Sequence, residues 1–303
     1  MSRIDEALKV LERGGAEPRV AAPTDTPSRT ATGTTLDLYP GEASPVAEDE
    51  RPQNRVVRPD ETRQLVRTTV TAAPSHDPEG KLIRRGTDPV LVEQYRRLAA
   101  SLYDAQVQRS VRTVMVTSAV PREGKTLTTL NLALTLSESY NRRVLVVDAD
   151  LRRPSIHSVL GIPNTQGLCD ALRDQELAVP LVERSPNLTV LTAGHAGATL
   201  LAGLTSERMG ILLDEFERAF DWVLIDTPPV GFLPDAQLLA RLIQAVVFVI
   251  GAGVTPAPVV ERAVAALGSE CILGTVLNRV KEDQIQDAGY YYYGGSEPAE
   301  RVS

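Results

Sequence analysis

Gly124-Lys125-Thr126 and three carboxylates further along, Asp148, Asp150 and Asp226, have the types and spacing to do chemistry together. The Gly-Lys-Thr triplet closes Ser118–Glu123 and opens the leucine-rich segment Leu127–Leu136, so Ser118–Thr128 reads as strand end, turn and helix start. The first N–H groups of a helix have no helical acceptor, and that makes them a cradle for phosphate oxygens. The backbone of Pro121, Arg122, Glu123, Gly124, Lys125, Thr126 and Leu127 would form the cradle. Lys125 would add a point charge near the β- and γ-phosphates, and the Thr126 hydroxyl would face Mg²⁺. Two positions depart from the G-x-x-x-x-G-K-[ST] pattern. Ala119 stands at the first glycine, and Arg122 stands where many such loops have glycine.

The carboxylates extend the set. Val144–Pro154 reads V-L-V-V-D-A-D-L-R-R-P, an apolar strand running into Asp148 and Asp150. Residues two apart on an extended chain point the same way, so both carboxylates reach one edge. Beside a triphosphate, such a pair can hold Mg²⁺ and take a proton from an attacking group. Arg152 and Arg153 follow and would offset phosphate charge. Asp221–Pro229, D-W-V-L-I-D-T-P-P, ends a second apolar run in Asp226, whose carboxylate would order Mg²⁺ or its water shell alongside Thr126 and Asp148. Asn278 ends the last apolar run. Its amide suits an adenine edge, and a turn asparagine is the equal alternative.

Positioning these groups requires elements that end at one edge. Runs at 113–117, 143–148, 188–191, 222–225, 246–250 and 272–277 have strand length and composition. Segments 89–106, 127–138, 206–220, 235–243 and 256–267 read as helices, with shorter ones near 168–172 and 180–183. Strands alternating with helices predict an α/β fold, a mostly parallel sheet flanked by helices with ligands at the strands' carboxyl ends. This domain occupies 81–283. Before it, residues 1–15 read as a short helix with Ile4, Leu8 and Leu11 on one face, a possible docking element. Residues 16–80 are rich in proline and poor in large apolar groups, hence a disordered linker, with a β-prone piece at 64–71. Residues 284–303 form a flexible tail with Tyr290, Tyr291, Tyr292 and Tyr293 in a row.

Bulk properties exclude several classes. A formal net charge of −7 over 303 residues argues against a general nucleic-acid binder. Cys169 and Cys271, and His76, His157 and His195, show no metal-ligand spacing, and the cysteines read as reduced thiols of a cytoplasmic protein. The longest apolar run, Ala245–Ile250, has strand length and is far too short to span a bilayer.

Taken with these motifs, the chain resembles the bacterial tyrosine kinases of exopolysaccharide and capsule systems, which use the partition-type P-loop NTPase fold. The resemblance covers 88–280 and the tail. It rests on the phosphate loop, on Asp148-x-Asp150-x-Arg152, on Asp226-Thr-Pro-Pro, on the segment His157–Leu172 and on the tyrosine run. It implies ATP and Mg²⁺ as cofactors, with Lys125, Asp148, Asp150 and Arg152 catalytic. Thr126, Asp148 and Asp226 would lie at the metal, and Tyr290–Tyr293 would be acceptors phosphorylated by a neighbouring subunit. It further implies a homo-oligomer, a membrane polysaccharide co-polymerase of the chain-length-determinant type as a separate activator, and a tyrosine phosphatase that resets the tail. The location implied is cytoplasmic, recruited to the inner membrane. The N-terminal helix on its linker resembles members found beside exopolysaccharide or exosortase loci. Two departures stand out. The family's assembly motif E-x-x-R-x-x-R runs Glu93, Arg96, Ala99 here, and Val120 replaces the lysine that partition-type ATPases carry early in the loop. A partition-type ATPase switch and a nucleotide-holding scaffold remain competing readings, separated by where the γ-phosphate goes.

Overall fold

The structure is a computed structural model that describes residues 66–69, 82–84, 86–174, 177–195, 203–231 and 234–280. The N-terminal helix, most of the linker, and the tail with Tyr290–Tyr293 lie outside the described residues.

The elements in chain order are β1 (Val66–Thr69), α1 (Pro89–Arg109), β2 (Thr113–Ser118), α2 (Lys125–Leu134), β3 (Val144–Asp148), α3 (Ile156–Leu160), α4 (Leu168–Arg173), β4 (Pro180–Ser185), β5 (Leu188–Leu191), α5 (Glu207–Ala219), β6 (Trp222–Asp226), α6 (Pro234–Ala240), β7 (Ala245–Gly251), α7 (Ala257–Leu267) and β8 (Ile272–Asn278). A π-helical turn, Thr135–Ser139, extends α2. The strands form one sheet in the order β1-β4-β5-β3-β6-β2-β7-β8, parallel at every pairing except β4 with β5.

Helix boundaries follow local chemistry. Asp88 caps α1 by accepting from the Val90 N–H, and Pro89 sits where a missing N–H costs nothing. Ser206 caps α5 by accepting from the Met209 N–H.

The central strands are buried on both faces, and their residues alternate between two apolar layers. Met115, Leu145, Val147, Val223, Ile225, Val246 and Phe248 pack with α4, α5, α6 and α7. Val114, Val116, Val144, Val146, Trp222, Leu224 and Val247 pack with α1, α2 and α3. The chain leaves β2 toward β3 on one side and later passes from β6 across β2 to β7 on the other. That reversal opens a crevice at the carboxyl ends of β2 and β6, where doubly wound sheets bind ligands.

Two expectations change. The segment near 180–183, expected to be helical, is strand β4, joined to β5 by Pro186-Asn187 and paired antiparallel with Ser185 opposite Leu188. Leu181 faces one layer and Val182 the other, a period of two that pairing rewards and a single helical turn cannot. The β-prone piece inside the linker pairs as β1, parallel to β4, over four residues, so ordered sheet begins before residue 81. Ala99 is fully buried in α1, facing the core, while Glu93 pairs along the exposed face with Arg96 and Arg97. Among the described residues, no helix is long and apolar enough to cross a membrane.

Candidate active site

Three strand ends and one helix start build the site. β2 runs through Ser118 into the loop, and α2 begins at Lys125, with the Thr128 N–H making the first helical bond to the Gly124 carbonyl (2.9 Å). The N–H groups of Lys125, Thr126 and Leu127 therefore have no helical acceptor. Gly124 has a φ of 96°, and a Cβ there would lie 2.0 Å from the Asn278 amide nitrogen, so only glycine fits. Arg122 also has a positive φ, 68°, the conformation for which such loops usually recruit glycine. Ala119 stands at the position of the first glycine, and the close approach falls on its partner: the Gly231 N–H donates to the Ala119 carbonyl, and a Cβ on Gly231 would come within 2.7 Å of that oxygen.

Asp148 and Asp226 end adjacent parallel strands and are direct partners in the β3–β6 register. Both are fully buried. The Thr126 hydroxyl donates to Asp226 Oδ2 (2.7 Å) and lies 3.2 Å from the Ser155 hydroxyl. Lys125 Nζ donates to Asp150 Oδ2 (2.9 Å). Asp148 Oδ2 accepts from the N–H groups of Ser155 and Ile156 (3.1 Å each), at the start of α3. The structure thus brings Lys125, Thr126, Asp148, Asp150 and Asp226 to one point.

Other expected residues have different surroundings. Arg152 turns to α6, where its guanidinium donates to both carboxylate oxygens of buried Asp235 (2.7 and 3.4 Å). The Asn278 amide donates to the Glu123 carbonyl (2.7 Å) and accepts from the Arg279 N–H, so it braces the loop. Pro121 and Arg122 are exposed, the Glu123 side chain is buried, and Leu127 packs on the α1–α3 layer.

The electrostatics follow from this crowding. Burial pushes the Asp148 carboxyl up to about 8, with the Asp226 charge adding to it. Burial also raises Asp226, to about 6, partly countered by Lys125 and by the Thr126 hydroxyl. Burial alone would lower the Lys125 ammonium, but attraction to Asp226, Asp150 and Asp148 holds it above the ordinary lysine value.

Asp148 Oδ1 and Asp226 Oδ1 are buried with no hydrogen-bond partner. Such orphaned acceptors are costly, and a cation that uses them removes the cost. No group of three or more His, Cys, Asp or Glu forms a metal cage among the described residues. Mg²⁺ needs no such cage, since it is commonly held by one or two carboxylates with phosphate oxygens and water. The residues present fit Mg²⁺.

Known proteins resemble the chain in sequence and in fold. No family model matches the chain. Tyrosine-protein kinase YwqD of Bacillus subtilis is 36% identical over 203 residues, covering 66% of this chain and 85% of that protein. The chain belongs to the bacterial tyrosine-protein kinases. Among solved structures, the chimerical protein CapA2B2 superimposes with a TM-score of 0.61 at 27% identity, covering 67% of this chain and 91% of that one. The kinase domain of the Escherichia coli tyrosine kinase ETK gives 0.57 at 26% identity, covering 70% and 80%.

Sequence reasoning missed three residues of the kinase site. Ser155 supplies an N–H to Asp148 and a hydroxyl beside Thr126, and its position just before α3 was the available signal. Asp235, in the first turn of a buried helix, anchors Arg152. Thr255 holds the Glu123 carboxylate (2.6 Å) and carried no motif.

Two predictions follow from these contacts. Arg152→Ala leaves buried Asp235 without a partner among the described residues and lowers the Tm of the kinase by a few degrees. Arg152→Ala combined with Asp235→Ala recovers most of that loss; a double variant that loses as much as the two singles summed would contradict the pairing. Secondly, without a cation the carboxylate pair retains a proton near pH 7, since Asp148 is raised to about 8 and Asp226 to about 6. Titrating Mg²⁺ with ADP into the kinase therefore releases on the order of one proton at pH 7 and almost none at pH 9. Calorimetry in two buffers of different ionisation enthalpy measures it, and equal heats in both at pH 7 would show a pair already ionised.

Proposed function

We propose that the kinase transfers the γ-phosphoryl group of ATP to tyrosine hydroxyls, with Tyr290–Tyr293 of a neighbouring copy as the main acceptors. The observation that carries this reading is the meeting of Lys125, Thr126, Asp148, Asp150 and Asp226 at the carboxyl ends of β2, β3 and β6. The N–H groups at the start of α2 hold phosphate oxygens, and Lys125 exchanges Asp150 for the β- and γ-phosphates. Mg²⁺, when bound at Thr126, Asp148 and Asp226, supplies charge neutralisation to the transferring group.

A tyrosine hydroxyl, with a pKa of about 10, loses its proton as its oxygen bonds to the γ-phosphorus and the bond to the bridging oxygen of ADP breaks. The proton goes to the carboxylate pair Asp148 and Asp150 at the end of β3, whose positions two apart turn both toward the site. Each phosphorylated tyrosine then carries roughly −2 charge, which expels the tail from an acidic site and loosens the contact between copies. Arg152 offsets phosphate charge when it is not held by Asp235.

In this reading the kinase regulates exopolysaccharide synthesis or export. A membrane polysaccharide co-polymerase of the chain-length-determinant type recruits it to the cytoplasmic face of the inner membrane and activates it, and a tyrosine phosphatase resets the tail. Incubation of the purified chain with γ-labelled ATP and Mg²⁺, with and without such a co-polymerase, tests the reading. Label on tyrosine is the expected result. Free phosphate without labelled protein in both mixtures would replace it with an ATPase switch.

A further inference from the structure

We propose that Glu123 is a positioning residue of the phosphate loop, and that its carboxylate sets nucleotide affinity from behind the loop. The inference rests on nucleotide binding at Lys125 and Thr126, as in the function proposed above, and adds a side chain that touches neither phosphate nor metal.

Glu123 is 2% exposed although it lies beside the site where a polyphosphate would sit. Its Oε2 accepts the Val120 N–H (2.8 Å), at the start of the loop. Its Oε1 accepts the Gly251 N–H (2.8 Å) and the Thr255 hydroxyl (2.6 Å), from the turn between β7 and α7. Its carbonyl accepts the Asn278 amide (2.7 Å), from the end of β8. One residue of the loop is therefore fastened to the loop's own start and to two further strand ends.

This arrangement has two consequences. A carboxylate close to bound phosphates repels them unless donors meet its charge, and here three donors do. The second concerns direction. In a trans peptide the carbonyl and the following N–H point opposite ways. Fastening the Glu123 carbonyl to Asn278 on β8 turns the Gly124 N–H away from β8. Gly124 itself can take this position only because it lacks a Cβ. An apolar side chain at 123 could fill the same space but could fix neither the Val120 N–H nor the β7–α7 turn. Glutamine is close in shape, yet its amide N–H₂ would confront the Val120 N–H if its oxygen kept the two bonds to Gly251 and Thr255.

The variants follow from the contacts. Thr255→Val removes one donor with little change of volume and lies outside the loop. It weakens ADP binding about tenfold, and Thr255→Ser, which keeps the hydroxyl, binds within about twofold of wild type. Glu123→Gln weakens binding about 30-fold or more. In steady-state assays with ATP the loss appears in KM more than in kcat. Isothermal titration with ADP at 20 °C, on variants shown to be folded by circular dichroism, makes the test. The ordering just given supports the proposal. Wild-type affinity in folded Thr255→Val and Glu123→Gln, even with a lowered Tm, would make the network merely structural and overturn it. A wild type that does not bind ADP overturns it together with the nucleotide-binding reading. A wild type that binds ADP, with unchanged affinity in both variants, overturns this proposal alone.

Discussion

Lys125→Ala lowers the initial rate of tyrosine labelling from γ-labelled ATP by about 100- to 1,000-fold, the usual cost of removing one preorganised charge from a transition state. Lys125 is the cation that reaches the three-carboxylate centre, 2.9 Å from Asp150, with Asp226 and Asp148 also attracting it. Its loss has a second effect. Asp148 and Asp226, already raised by burial, lose the positive charge that holds Asp226 down, and the free protein becomes less stable at pH 8 than at pH 5 by more than wild type does. Lys125→Arg keeps the charge but not the compact ammonium, and recovers stability better than activity. A Lys125→Ala protein that labels within tenfold of wild type would remove Lys125 from the chemistry.

Asp148→Asn separates stability from activity in the opposite sense. Asp148 has a folded pKa of about 8, far above that of an exposed carboxylate. Between the ordinary carboxylate range and about 8, the folded state keeps a proton that the unfolded chain has lost. Unfolding releases it, so the stability of the metal-free kinase falls as pH rises through that window. Asparagine carries no charge to bury. Its oxygen can accept from Ser155 and Ile156 as Asp148 Oδ2 does, and its N–H₂ can donate to the unpartnered Asp226 Oδ1. The variant should be more stable than wild type by roughly 1–3 kcal/mol at pH 8, with little difference at pH 5 where Asp148 is protonated. At this size that is a rise in Tm on the order of 5 °C. Labelling falls about 1,000-fold or more, since the carboxylate proposed to hold Mg²⁺ and to share in taking the tyrosine proton is lost. A variant less stable than wild type at pH 8, measured without divalent cation, would mean the buried pair is not under electrostatic stress.

These effects separate what the sequence could reveal from what it could not. The loop, the aspartate pair and Asp226 were legible because phosphate binding imposes local rules on consecutive residues, and because each apolar run ends on the functional carboxylate. The central strands were legible for the same reason: Val144–Asp148 and Trp222–Asp226 are buried on both faces and read as continuous apolar runs. What stayed hidden depends on pairing across long sequence separations. Residues 180–183 became strand β4 because β5 lies opposite them, which no local propensity reports. Arg152 is held by Asp235, 83 positions later, and no local pattern announces that bond. Glu123 and Thr255 lie 132 positions apart, and neither carries a pattern of its own. The Asn278 amide, open in sequence to either an adenine edge or a turn, braces the loop through a contact set by the meeting of β8 with the loop.

The proposed transfer divides the labour between copies, with a phosphate loop and carboxylates in one and acceptor tyrosines in the other. Mixing two inactive variants tests it most directly. Lys125→Ala keeps the tail and loses the site, while the variant with Phe at 290–293 keeps the site and loses the acceptors. Each alone should incorporate little or no label on tyrosine from γ-labelled ATP. Together, the Lys125→Ala chain should be labelled on its tail tyrosines, at a rate that rises with the concentration of the partner variant. A mixture as silent as its components, beside a wild type that labels itself, would contradict transfer between copies.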